Sequence, residues 1–110
     1  MEKQIIYNPI MGLLIIDNQE MIKLISDENK MMNLLVKNLG RLTKAEEIWK
    51  IFSFNEDDNF DSYSSSYINT KITRLRKKIN KYFDIFSRKG FGYILVKKGQ
   101  YIKDDNCIIL

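Results

Sequence analysis

Ser66-Tyr-Ile-Asn-Thr-Lys-Ile-Thr-Arg-Leu-Arg-Lys-Lys-Ile-Asn-Lys-Tyr82 is a stretch with two chemistries. Its apolar residues Ile68, Ile72, Leu75, Ile79 and Tyr82 recur at intervals of four, three, four and three, the spacing of one face of an α-helix. Off that stripe lie Tyr67, Thr70, Lys71, Thr73, Arg74, Arg76, Lys77, Lys78 and Lys81, with no acid among them. The pattern predicts a helix over residues 66–82 that buries one side and offers the other to an anion. Its earlier polar residues are of types that hydrogen-bond base edges. Its later ones are long cations suited to phosphates, as expected of a helix that reads duplex DNA.

Just beyond, Ile85-Phe86, the polar tip Ser87-Arg88-Lys89-Gly90 and the returning run 91–96 predict a β-hairpin whose tip carries two cations. Gly90-x-Gly92 lacks the third glycine and following helix of a phosphate loop, so it is read as turn geometry. Residues 66–100 hold ten basic residues against the single acid Asp84, a net +9. The other residues hold eight basic and thirteen acidic ones, a net −5, within a total of +4. A one-sided basic surface is the footprint of a phosphate-backbone binder, whereas an ordinary solvated face mixes signs. Neutralising about five phosphates would make log K fall against log salt with a slope of about −4 to −5.

Upstream, residues 4–7, 12–16 and 21–25 are apolar-rich runs broken by Asn8-Pro9 and Asp17-Asn18, which predicts a small antiparallel meander. Ser26 is placed as a helix N-cap with Asp27 and Glu28 in the first turn; Met31, Leu34, Leu35 and Leu39 follow at helical spacing, and Gly40 ends the helix. Core packing accounts for Met31-Met32 better than an adaptable groove does. Thr43-x-x-Glu46 reads as a capping box opening a second helix, with Ala45, Ile48, Trp49 and Phe52 along one stripe. Trp49 lies outside the basic segment, so it is assigned to core or partner surface rather than to base stacking. The acidic, serine-rich residues 53–65 are read as a loop. Asp57-x-Asn59-x-Asp61 starts like a calcium loop, but Ser62 stands in place of the glycine and Ile68 in place of the bidentate glutamate.

At 110 residues, 45% hydrophobic and 29% charged, the chain fits one soluble domain, residues 1–110. Within it fall N-terminal strands (1–25), a three-helix core (26–82), a hairpin (83–96) and a C-terminal extension (97–110). No apolar run approaches a membrane span, and Met-Glu-Lys-Gln does not open a signal peptide, so a cytoplasmic location is expected. With no histidine and the single Cys107, neither a zinc site, a cofactor nor imidazole-based catalysis is expected. An enzymatic alternative, a magnesium nuclease built on the carboxylates of residues 56–61, ranks low.

Ile72-Thr-Arg-Leu-Arg-Lys-Lys-Ile79 and Phe86-Ser-Arg-Lys-Gly-Phe-Gly-Tyr-Ile-Leu95 closely resemble the end of the effector domain in the OmpR/PhoB family and in ToxR/CadC-type regulators. The resemblance extends more weakly over the whole chain, including the order of elements. It implies an α+β winged helix-turn-helix fold with an N-terminal antiparallel sheet, three helices and a C-terminal hairpin wing. It also implies sequence-specific binding of double-stranded DNA by a bacterial transcriptional regulator. Ser66, Tyr67, Thr70, Lys71 and Arg74 fall where the family faces the major groove, Thr73, Arg76 and Lys77 at or near backbone contacts, and Arg88 and Lys89 in the wing that approaches the minor groove. The family's typical tryptophan near the end of the second helix falls on Phe52, with Trp49 one turn earlier. The loop before the recognition helix, which in family members can contact RNA polymerase, is longer and more acidic than usual. No receiver domain accompanies these elements, which suggests a stand-alone regulator. Tyr101-Ile102 and Ile108-Ile109 suggest a homodimer contact. Cys107-Ile-Ile-Leu110 formally matches a prenylation box, which the bacterial resemblance sets aside. The alternative is a winged-helix module that binds another regulator instead of DNA.

Overall fold

The computed structural model describes residues 4–52 and 60–98. Strands β1 (Ile5–Asn8), β2 (Leu13–Ile16) and β3 (Glu20–Lys23) form an antiparallel sheet in the order β1-β2-β3, with Ile5 opposite Ile16 and Leu14 opposite Ile22. The β1–β2 turn is held by the Asn8 side chain, which accepts from the amides of Ile10 and Met11 at 3.1 Å each. Asp17 and Asn18, at φ 52° and 59°, make the left-handed turn of the three-residue loop between β2 and β3, closed by the Gln19 amide on Ile16 O at 3.0 Å.

Helix α1 (Ser26–Lys37) packs against this sheet. Its N-cap is Ile25 rather than Ser26, and Glu28 Oε1 accepts from the Ile25 amide at 2.9 Å, satisfying a donor that the helix start leaves open. Met31, Met32 and Leu35 are buried, as expected of core residues. Leu39 is not on the stripe: the helix stops at Lys37, and Leu39 is exposed beyond it. Gly40 does not cap α1 either; its amide donates to Leu95 O at 2.8 Å and so ties the turn to the far sheet.

That far sheet corrects the reading of Thr43. Instead of capping a helix, Thr43 sits fully buried in β4 (Leu42–Lys44), and its hydroxyl accepts from the Asn38 amide group at 3.0 Å. β4 pairs with β6 (Gly92–Lys97), which pairs with β5 (Phe83–Arg88), giving the order β4-β6-β5. Gly92 makes the close approach possible: a Cβ there would fall 2.0 Å from the Thr43 carbonyl oxygen. Helix α2 (Ala45–Phe52) follows β4 directly, with its Ala45 amide bonded to Phe91 O at 3.1 Å.

Helix α3 (Ser62–Ile79) starts a turn earlier and ends a turn sooner than the apolar spacing suggests. Residues 62–65 are therefore helix rather than loop, and Asp61 is the N-cap, accepting from the Ser64 amide at 2.9 Å. The calcium-loop and nuclease readings lose Asp61 to that role; their other carboxylates, within residues 53–59, lie outside the described residues. Tyr82 lies past the helix end, buried, with its hydroxyl on Glu20 of β3. Ile68, Ile72, Leu75 and Ile79 are fully buried in one cluster with Leu14, Met31, Leu35, Ile48 and Leu95. Each such side chain contributes roughly 1.5–3 kcal/mol of burial, which fixes the rotation of α3 and hence what it shows to solvent. The chain is thus α+β, with three helices between two antiparallel sheets among the described residues. The C-terminal extension from residue 99, including Tyr101-Ile102 and the Cys107 tetrapeptide, lies outside them.

Candidate nucleic-acid interface

Burying Ile68, Ile72, Leu75 and Ile79 divides the rest of α3 into three strips. One strip leans toward α1 and α2. There the Tyr67 ring packs edge-on against Trp49 and Phe52, with centroids 5.7 Å away in both cases. Trp49 thus belongs to the α2–α3 seam; its indole nitrogen is buried with no hydrogen-bond partner among the described residues. Lys71 Nζ lies 2.6 Å from Asp27 Oδ2 and 5.3 Å from the Tyr67 ring centre. Its hydrogen bond to Asp27 raises the lysine pKa above the usual 10.5, against a smaller opposing pull from desolvation. Lys78 Nζ lies 2.7 Å from the buried Glu28 carboxylate and also donates to Lys23 O at 3.1 Å. Two lysines of the basic segment therefore neutralise acids in the first turn of α1.

The second strip faces the hairpin. Arg76 donates from Nε to Ile85 O at 3.1 Å and from Nη2 to the Ser87 hydroxyl at 3.0 Å, pinning β5 to the helix. Ser65, Ser66 and Asn69 face Arg88, Lys89 and Phe91 across a cleft of about 330 Å³ between α3 and the hairpin tip. Asn69 Oδ1 is 3.5 Å from the Tyr93 hydroxyl, whose pKa is raised by burial. In the sequence Asn69 borders the apolar stripe, which masks its exposure; its place one turn before Thr73 is the signal that marks it. Phe91, two-thirds exposed at 66%, was likewise hidden inside an apolar run.

The third strip points away from the core. Ser66, Thr70, Arg74 and Lys77 are exposed and Thr73 is half-buried. Thr70 and Thr73 donate their hydroxyls to Ser66 O at 3.0 Å and Asn69 O at 2.8 Å. At its tip the hairpin carries two more exposed cations, Arg88 and Lys89, which line the cleft with Ser66. Its tip is turned by Gly90 at φ 83° and closed by the Phe91 amide on Arg88 O at 2.9 Å. Of the ten sequence-derived positions, Ser66, Thr70, Thr73, Arg74 and Lys77 thus share the outward strip of α3, and Arg88 and Lys89 line the cleft beside Ser66. Tyr67, Lys71 and Arg76 are held in contacts within the protein.

The pairs Lys81–Glu20, at 3.7 Å, and Lys98–Asp84, at 4.0 Å, occupy further cations of the basic segment. Arg74, Lys77, Arg88 and Lys89 have no acidic partner among the described residues. The described residues contain no cluster of metal-ligating side chains and no helix long and apolar enough to cross a membrane.

No protein-family model matches the sequence, and no curated protein does. Solved structures do match. The DNA-binding domain of Bacillus subtilis CssR is 22% identical at a TM-score of 0.66, over 84% of this chain and 99% of that one. The C-terminal domain of the nisin resistance regulator NsrR, a lantibiotic response regulator, is 25% identical at 0.62, over 86% and 93%. The DNA-binding domain of the response regulator AdeR, solved in complex with an intercistronic region, is 18% identical at 0.62, over 87% and 97%. The chain has the winged-helix fold of OmpR/PhoB-type domains, as the motifs of its last third implied. In that fold the β5–β6 hairpin after α3 is the wing.

Proposed function

We propose that this chain is a cytoplasmic transcriptional regulator that binds double-stranded DNA sequence-specifically, with α3 in the major groove and the β5–β6 wing on the adjacent backbone or minor groove. The observation that carries this reading is the sorting of cations: Lys71 and Lys78 are paired with acids of α1, while on the outward face of α3 and the hairpin tip beside it Arg74, Lys77, Arg88 and Lys89 have no acidic partner among the described residues. That face also holds neutral hydrogen-bonding side chains at the start of α3, the combination that base edges flanked by phosphates require. The fold shared with response-regulator DNA-binding domains supports the same reading. In this assignment Ser66, Thr70, Thr73 and Arg74 meet bases, Lys77, Arg88 and Lys89 meet phosphates, and Tyr67, Lys71 and Arg76 hold the helix and wing at their working angle. No catalytic step is assigned.

The test is fluorescence anisotropy of a mixed-sequence duplex at low salt, with circular dichroism to verify folding. Wild type binds, the double reversal Arg74→Glu/Lys77→Glu does not, and Lys50→Glu on the exposed side of α2 binds as wild type does. Absence of binding by wild type, or binding that survives the double reversal, would overturn the reading and point to a winged-helix module for a protein partner.

A further inference from the structure

Thr70 and Thr73 stand on the outward strip of α3 with their hydroxyl hydrogens already committed to Ser66 O and Asn69 O. Each such bond holds χ1 in one rotamer, so the methyl of each threonine occupies a fixed position and the hydroxyl oxygen is left as an acceptor. From the N-cap Asp61 to Thr70 the helix contains no cation, and the first one, Lys71, is held by Asp27. The leading half of α3 therefore presents methyl groups and acceptors, not charged donors.

We propose that Thr70 and Thr73 read the C5 methyl groups of thymines and so make this chain prefer A·T pairs beneath the first half of α3; the proposal rests on the DNA-binding reading above. An A·T pair shows the major groove an adenine N6 donor and a thymine methyl, which a fixed hydroxyl acceptor and a fixed threonine methyl complement. A G·C pair also offers a donor to such an acceptor, the cytosine N4 amino group, but it has no methyl, so the methyl contacts carry the discrimination. Neighbouring side chains three apart on a helix are about 5–6 Å apart at Cβ, between one and two base steps of about 3.4 Å, so the two thymines lie one or two steps apart. Asn69, whose backbone carbonyl accepts the Thr73 hydroxyl, adjoins this pair, and an Asn amide pairs with the N6–N7 edge of adenine, which favours the same base pairs.

The experiment selects high-affinity duplexes from a pool with randomised cores, using the full chain. Each selected duplex is then remade with deoxyuridine for thymidine, which removes only the methyl. Wild type is expected to bind the uracil form about fourfold more weakly per methyl contacted, about fifteenfold for two. Thr70→Ser keeps the hydroxyl and its backbone bond but lacks the methyl, so its discrimination falls to about fourfold. Thr70→Val keeps a methyl and retains wild-type discrimination. Selected cores without thymine, equal binding of both forms by wild type, or full discrimination by Thr70→Ser would overturn the proposal while leaving DNA binding intact. Failure to bind any duplex at low salt would instead overturn the DNA-binding reading, and this proposal with it.

Discussion

Removing Lys71 is expected to leave the salt dependence of DNA binding unchanged, although Lys71 lies in the most basic helix of the chain. Each phosphate neutralised on B-DNA contributes about −0.9 to the slope of log K against log salt. If every cation of residues 66–100 acted, ten would give a slope near −9. Of the cations with no acidic partner among the described residues, Arg74, Lys77, Arg88 and Lys89 belong to the outward face of α3 and the hairpin tip, so one copy should give about −3.6. That is shallower than the −4 to −5 expected from sequence alone. Arg74→Gln or Lys77→Gln flattens the slope to about −2.7, whereas Lys71→Gln and Lys78→Gln leave it near −3.6. Asp27→Asn acts in the other direction: it releases Lys71, and the slope steepens toward about −4.5. Anisotropy titrations of one mixed-sequence duplex over a salt series measure all five variants. A slope that flattens by about 0.9 in Lys71→Gln and does not steepen in Asp27→Asn would refute the reasoning, because DNA would then be drawing Lys71 off Asp27.

Arg76→Gln removes the charged donor that ties α3 to Ile85 O and the Ser87 hydroxyl; the site is half-exposed, so the expected loss is about 1.5 kcal/mol in urea unfolding, with faster amide exchange along β5 and weaker DNA binding. Unchanged exchange in β5 would contradict the tethering role. Asp61→Ala removes the α3 cap and should cost about 1 kcal/mol, visible as a lower urea midpoint, with Asp61→Ser recovering most of it. Stability should also fall on the alkaline side. Lys71 has its folded pKa raised above 10.5, so its pair with Asp27 contributes fully below that value and is lost as pH climbs through the folded pKa. Tyr7 and Tyr93, raised above 10.0 by burial, ionise more readily when unfolded, so they act in the same sense. Urea midpoints at about pH 8 and pH 11 test this, and equal midpoints would contradict it.

The core of α3 was legible because Ile68, Ile72, Leu75 and Ile79 repeat with the period of the helix, and a period survives translation into structure without knowledge of any partner. Its first turn was not, because Ser62-Tyr-Ser-Ser-Ser66 has weak helix propensity and Asp61 supplies in a cap what the side chains lack. Thr43-x-x-Glu46 misled for a related reason. A threonine three residues before a glutamate suits a helix start, but what decides its state here is β6 lying alongside, some fifty residues on, with Gly92 leaving room for the contact. The candidate interface divides the same way. The exposed Ser66, Thr70, Arg74 and Lys77 follow from the helical wheel, whereas the neutralisation of Lys71 and Lys78 depends on acids 44 and 50 residues earlier in the chain. No local pattern encodes a pairing of that range.

Those two pairs also give the first turn of α1 a double duty. Acids at a helix N-terminus already interact favourably with its dipole, and here the same carboxylates receive the lysines that orient α3. Their surroundings separate the consequences. Glu28 is buried and also accepts the Ile25 amide, so losing its carboxylate exposes an unpaired donor and a stranded lysine, an effect on folding. Asp27 is a third exposed on its side chain, and losing it mainly frees Lys71 at the margin of the outward face, an effect on binding. Neighbouring acids in one helical turn thus divide stability from affinity, and α3 is held at its angle by charges that are unavailable to DNA.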